Sequence, residues 1–473
     1  MIYGILALYI IGLIGISLWS SKKSTTVDDF LLGGRGMGPW MSAFAYGTTY
    51  FSAVIFVGYA GSVGYANGIS ALLIGVGNAI IGSLLPWLVL AKKTRQFTGK
   101  HGISTMPEFF DKRYDSKILK YISAVIIFIF LVPYCASVYQ GLSYIFEIAL
   151  GISVEYCIVG MAVLTAFYLF FGGCFGAALI NVVQGSIMLV GVVIMVAYIM
   201  SNPQVGGFVE GVRRLGEISP KLVSFNPKDI TNVLSLMMLT SLGSWGLPQM
   251  IHKFYTIKSE KVILSGTIIS TIFAAVIGVS AYFIGAFARF FVTGPVTNTS
   301  ILVPTMIVKA LPEFAVGLVL VLILSASMST LSSLVLVSAS SIAIDLLDGA
   351  KGKDDKKTVL ILRFLCIVFV AVSIMVALDE NNAIVTLMSY SWGTISGSFI
   401  GLYVYGLHCK WVTKMGAYAG IATGLITNLL GFFFIHNAPL TGVLSMILSL
   451  IVVPLVSMVT PKYDKAYIDE LMD

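Results

Sequence analysis

Between Gly36 and Ala91 the chain carries no Asp, Glu, Lys or Arg. A stretch of that length would leave a water-soluble fold without a polar surface. In hydrocarbon the constraint is different. Every backbone N–H and C=O must be satisfied within the protein, so only helices and closed barrels cross a bilayer. The charge-free stretch is not isolated: charged residues make up 11% of the 473 residues and hydrophobic ones 58%, against roughly 25% charged in soluble domains. The apolar runs reach about 20 residues or more, enough to span a ~30 Å core as helix. They exceed the ~10-residue alternating strands of a membrane barrel. The sequence reads as an all-α polytopic membrane protein.

Thirteen transmembrane helices are expected, at about 3–20, 39–62, 69–92, 118–147, 153–173, 176–201, 230–250, 261–291, 313–346, 358–378, 383–407, 412–436 and 439–459. With the N-terminus outside and the C-terminus cytoplasmic, 23 of the 29 Lys and Arg fall inside, as the positive-inside rule requires. The inside set includes Lys22, Lys23, Arg35, Lys253, Lys351, Lys353 and Arg363. Outside lie Arg213, Arg214, Lys221, Lys228, Arg289 and Lys309. The net charge of +7 reflects this topological bias, and no nucleic-acid partner is implied. The first 20 residues lack the basic start and small-residue cleavage site of a signal peptide, so an uncleaved first span is expected. The five cysteines form no CxxC pair, the four histidines stand apart, and no HExxH or phosphate-loop motif occurs. With short loops and no appended soluble domain expected, receptor, kinase and surface-enzyme roles recede. The activity is expected within the membrane, among lipid.

Polar groups inside a membrane are costly and mark function. The second span contains Ala45-Tyr46-Gly47-Thr48-Thr49-Tyr50-Phe51-Ser52. Glycine followed by two β-branched threonines is poor helix material, and a break there would free the carbonyls of Thr48 and Phe51. A Gly/Thr packing notch is the other reading. The segment Leu324–Ser341 holds eight serines and one threonine. On a helix Ser325, Ser329, Ser332 and Ser333 share one stripe, and Thr330 lies about 100° round from Ser329. Adjacent hydroxyls can then close on a hard cation such as Na+ from two directions, without burying a protein charge. Close helix packing and hydroxyl back-bonding account for the same serines, and are preferred for Ser338, Ser340 and Ser341. Pro248, within Ser241–Gln249, predicts a kink in the seventh span. Gln140 in the fourth reads either as an interhelical hydrogen bond or as a substrate contact.

In order along the chain come Asp28-Asp29-Phe30-Leu31-Leu32-Gly33-Gly34-Arg35, Gly38-Pro39, Gly47 to Gly61 and Tyr134-Cys135-Ala136-Ser137. Then follow Gly172-Gly173, Asn181-Val182-Val183-Gln184-Gly185, Gly246-Leu247-Pro248-Gln249-Met250-Ile251-His252-Lys253-Phe254 and Met328-Ser329-Thr330-Leu331-Ser332. With this ordered set the chain resembles the sodium/solute symporter family over about 28–410, most visibly its sodium/proline symporter branch. The resemblance implies one transporter domain over 1–473 with a leucine-transporter-like fold. Its core would be two inverted five-helix repeats, 39–201 and 230–407, with peripheral helices and tails at 1–38 and 408–473, working by alternating access. It also implies a sodium site on the carbonyls of Thr48, Phe51 and Ala326 and the hydroxyls of Ser329 and Thr330. A second sodium site used by certain members is matched by Asn181, Ser332 and Ser333. Asn181 stands where those members have an aspartate, so one Na+ per cycle is expected.

Tyr50 stands where the proline branch has an aspartate, and Tyr50-Phe51-Ser52-Ala53-Val54 is similar to members that carry organic anions. The solute is open between an amino acid such as proline and a small carboxylate. Outside Na+ is expected to bind first and join the second and ninth spans. This would complete a solute pocket from Thr49, Tyr50, Ser52, Tyr134, Gln140, Ser244, Gln249 and Trp392. The expected function is Na+-coupled solute uptake across the cell membrane, with no catalytic chemistry and the monomer as functional unit. Proton coupling is the alternative; it needs a titratable group in the core, and spans two and three offer none. A sugar or other solute carried with Na+, and a transceptor, are further alternatives. Glu147 and Glu155 read as interface residues and Arg363 as a snorkelling one.

Overall fold

The computed structural model describes every residue except 21–25, 225–226, 293–295, 297, 348–354, 380–383 and 473. Lys22, Lys23, Lys351 and Lys353 of the inside-facing set therefore lie outside the described residues. The described residues form helices and turns, with one isolated bridge between Met37 and Ile257 and no strand.

The elements that matter here begin with α1 (Ile2–Ser20), α2 (Pro39–Tyr50), α3 (Val54–Gly64) and α4 (Leu72–Ala79). They continue with α5 (Lys117–Leu150), α6 (Val154–Ser201), α7 (Pro227–Gly243) and α8 (Pro248–Tyr255). The last are α9 (Ile263–Phe287), α10 (Glu313–Ser340), α11 (Asp355–Ala377), α12 (Ile384–His408), α13 (Lys414–Phe434) and α14 (Ala438–Val459). Ten stretches among the described residues are long and apolar enough to cross a membrane, against thirteen expected spans. One stretch, Val54–Val89, covers the later half of the second expected span and the third. α6 covers the fifth and sixth, turning at Gly173, whose φ of 54° and ψ of −161° leave the helical region. α12, rich in Ser and Gly, is not among the ten.

Two of the expected spans are broken rather than continuous. In the second, α2 runs on through Gly47, Thr48 and Thr49, and the extended residue is Phe51 (φ −105°, ψ 106°). Gly47 therefore does not break the helix. A Cβ there would run into the Phe273 ring, so its role is close approach of α9. In the seventh span the expected kink at Pro248 is a full break. α7 ends at Gly243, and Leu247 is extended (φ −78°, ψ 121°), as a residue before proline prefers. Pro248 then opens α8, where its missing N–H leaves no bond unmade.

α10 is the central helix: 89% of its apolar window is buried, against 17% for α1. The hydroxyl-rich helix thus faces protein on all sides, which is how so many serines are accommodated. Two staples join the start of α2 to the end of α8. The Arg35 guanidinium donates to the carbonyls of Tyr255 (3.2 Å), Thr98 (3.2 Å) and Ile103 (2.6 Å). Met37 N–H donates to the Thr256 carbonyl (3.2 Å) and its own carbonyl accepts from Lys258 (3.0 Å).

α3 packs on α9 through backbone contact at Gly64 and Gly285; a Cβ on Gly64 would lie 2.6 Å from the Gly285 carbonyl carbon. Backbone cannot yield as a side chain can, and overpacking typically costs about 1–3 kcal/mol. Gly64→Val is expected to lower the thermal unfolding midpoint of the detergent-solubilised protein. Gly12→Val, at a position with nothing within 4 Å, should leave it unchanged.

Candidate functional site

The break after Tyr50 leaves helix-end carbonyls without intrahelical donors. The last backbone bond of α2 runs from Phe51 N–H to the Gly47 carbonyl at 3.1 Å, so the carbonyls of Thr48 and Thr49 need partners elsewhere. α10 supplies them. Ser329 Oγ donates to the Thr48 carbonyl (2.8 Å) and lies 2.9 Å from the Ala326 carbonyl. Thr330 Oγ1 lies 3.3 Å from the Thr48 carbonyl, 3.2 Å from that of Thr49 and 3.1 Å from that of Ala326. Thr48, Ala326, Ser329 and Thr330 are all 0% exposed. The Thr48 hydroxyl is turned back to the Phe44 carbonyl at 2.7 Å, so the residue offers its carbonyl alone.

Four of the five oxygens expected for a sodium site therefore meet at one point. The Phe51 carbonyl takes no part in these hydrogen bonds, and the Thr49 carbonyl, which sequence reasoning missed, does. No carboxylate takes part. A small hard cation suits such a set: the carbonyl and hydroxyl oxygens would be its ligands, with the hydroxyl protons turned away. The sequence signal for Thr49 was present, because a helix end frees consecutive carbonyls.

The expected solute residues separate into two groups. Tyr50, Tyr134 and Trp392 come together: the Tyr50 and Trp392 rings stack at 6.2 Å and 19°, and Tyr134 meets Trp392 edge-on at 5.7 Å. The Tyr50 hydroxyl donates to the Thr240 carbonyl (2.9 Å), tying α2 to α7. Tyr134 Oη and Trp392 Nε1 are buried polar atoms with no hydrogen-bond partner among the described residues. Gln249 is 1% exposed and its Oε1 is likewise without one.

The others are engaged structurally. Thr49 Oγ1 bonds Ser333 Oγ (2.9 Å). Ser52 Oγ accepts from Val54 N–H (3.2 Å), starting α3. Ser244 Oγ donates to the Gly82 carbonyl (2.9 Å). Gln140 Nε2 donates to the carbonyls of Ala377 (3.0 Å) and Asp379 (3.1 Å) in an interhelical contact, while its Oε1 has no partner among the described residues. Ser340 and Ser341 back-bond to the carbonyls of Val337 (2.9 Å) and Ser338 (2.8 Å). Asn181, Ser332 and Ser333 line one small cavity with Lys253. Lys253, read from sequence as an inside-facing loop cation, is 7% exposed on α8.

Residues 30–424 match the family described as the sodium:solute symporter family. The chain belongs to that family. Like other members, this symporter is a transporter rather than an enzyme, built as a multi-pass membrane protein. It is 30% identical to the osmoregulated proline transporter OpuE of Bacillus subtilis (strain 168), over 98% of this chain and 95% of that protein. It is 29% identical to a sodium/proline symporter of Staphylococcus aureus (strain JH9), over 98% and 93%. In fold it is similar to a Na+-coupled sialic acid symporter solved in a substrate-bound outward-open state. The TM-score is 0.82 and the identity 18%, covering 98% of this chain and 99% of that one. Mhp1, a nucleobase-cation-symport-1 family transporter, is similar at a TM-score of 0.55 and 15% identity, over 95% and 98%. The symporter thus has the leucine-transporter-like fold.

A ligand bound to the folded state at 100 times its Kd stabilises it by about 2.7 kcal/mol. Replacing KCl by NaCl is expected to raise the unfolding midpoint of the purified symporter. Ser329→Ala combined with Thr330→Ala should abolish that Na+-specific rise. A rise that survives both substitutions would place the cation elsewhere.

Proposed function

We propose that this symporter takes up proline with one Na+, bound between α2 and α10 at the carbonyls of Thr48 and Ala326 and the hydroxyls of Ser329 and Thr330. The observation that carries the reading is the meeting of carbonyls freed by a helix break with two hydroxyls of the central helix. A cation there holds α2 to α10, and α2 also bears Tyr50. Ion binding thereby sets the ring cluster of Tyr50, Tyr134 and Trp392. Its aromatic faces suit a pyrrolidine ring and its ammonium. The similarity to proline carriers supports proline over other small carboxylates.

Coupling follows from mutual stabilisation: whatever factor Na+ adds to solute affinity, the solute returns to Na+. Each charge entering down the membrane potential contributes about 2.3 kcal/mol per 100 mV. In this reading the chain crosses the cell membrane thirteen times, with its N-terminus outside, its C-terminus cytoplasmic and the single chain as the working unit. The paired breaks after Tyr50 and Gly243 open two inverted repeats, 39–201 and 230–407, that rock around the site.

Proteoliposomes given an imposed Na+ gradient should accumulate labelled proline, and a proton gradient of equal size should not drive it. Ser329→Ala and Thr330→Ala should each raise the Na+ concentration for half-maximal uptake roughly tenfold, about 1.4 kcal/mol of lost contact. Uptake driven equally by protons, or a preference for a non-amino carboxylate, would overturn the corresponding part of the reading.

A further inference from the structure

Lys253 is the group that the sodium site does not use and the fold nonetheless encloses. It sits on α8, five residues after Pro248. Its Nζ donates to Ser333 Oγ at 2.8 Å. The cavity beside it has a volume of about 10 Å³, close to the minimum that holds a single water. Asn181, Ser332, Ser333, Cys174 and Thr256 line it, and no carboxylate does. Asn181 is 2% exposed, and its Oδ1 is buried without a hydrogen-bond partner among the described residues.

A buried ammonium with no carboxylate is expensive unless oxygen dipoles solvate it. Ser333 Oγ is the acceptor here; the Ser332 hydroxyl donates to the Ser329 carbonyl (2.7 Å), and the Asn181 amide oxygen lines the same cavity, a neutral surround of the kind that takes a small cation. Ser333 also links this place to the sodium site. Its hydroxyl meets Thr49 Oγ1 at 2.9 Å and lies 3.1 Å from the Ser329 carbonyl.

We propose that the Lys253 ammonium is a tethered second cation. It permanently occupies the place at Ser333 beside the cavity that Asn181 and Ser332 also line, so that only the Na+ at Ser329 and Thr330 is free to bind and leave. An untethered ion would hold α8, α10 and α2 together only while bound; the lysine holds them throughout the cycle. Neutral Asn181 fits the arrangement, because the lysine supplies the charge that a dissociable Na+ would otherwise bring.

The inference rests on the sodium site at Ser329 and Thr330, and one experiment separates the two. Equilibrium binding of radioactive ²²Na+ to the purified full chain should saturate at one ion per chain. Ser329→Ala with Thr330→Ala should remove it. Lys253→Met combined with Asn181→Asp, which removes the tethered charge and adds a carboxylate, should double the stoichiometry to two. Should that pair not fold, Lys253→Met alone should still add a second, weaker ion, whereas Lys253→Arg should remain at one. Two ions on the unaltered protein would overturn the proposal. So would a single ion on a folded Lys253→Met, Asn181→Asp protein. Binding of no ion, or of one that survives loss of Ser329 and Thr330 hydroxyls, would instead remove the sodium-site reading beneath it.

Discussion

The structure turns on one piece of backbone accounting. A helix that stops inside a membrane leaves carbonyls that water cannot reach, and each must be satisfied by protein. Here α2 stops at Tyr50, and the carbonyls of Thr48 and Thr49 are met by two hydroxyls on α10. The same neutral oxygens that satisfy the break are the ones proposed to hold the cation. In that proposal the break and the site are one feature, and both depend on the central helix beside them.

Other contacts keep the break where it is. Tyr46 Oη and Ser244 Oγ donate to the single carbonyl of Gly82, at 2.7 and 2.9 Å, so the two broken segments share an anchor. Trp245 Nε1 reaches the neighbouring Ile81 carbonyl at 2.8 Å. Arg35 and Met37 fasten the start of α2 to the end of α8. Absent side chains allow the close approach of α3 to α9 at Gly64 and Gly285. These elements are thus joined largely by hydrogen bonds to backbone carbonyls.

Much of this was legible in sequence, and the reasons are local. The composition decides the class, because no soluble fold tolerates a charge-free stretch such as Gly36–Ala91. Helical spacing puts Ser329, Ser332 and Ser333 on one stripe, and residue type marks the weak point near Thr48. What sequence could not resolve depends on partners distant along the chain. Thr49 and Ser52 carry hydroxyls as suitable for a solute as any, yet one is engaged by Ser333 and the other by the start of α3. Gln140 is held at the end of α11 by its bonds to the carbonyls of Ala377 and Asp379. Lys253 looked like a loop cation because charge counting knows only proximity to a span end. The break at Pro248 makes α8 a separate helix, and that helix is buried, carrying Lys253 into the core.

The central claim is that a cation binds where α2 breaks against α10. A high-resolution electron cryo-microscopy map of the protein in saturating NaCl, set against one in KCl, tests it most directly. The account predicts Na+-dependent density enclosed by the carbonyls of Thr48 and Ala326 and the hydroxyls of Ser329 and Thr330. If at saturating Na+ those hydroxyls still donate directly to the carbonyls, with no density between them, the account is contradicted.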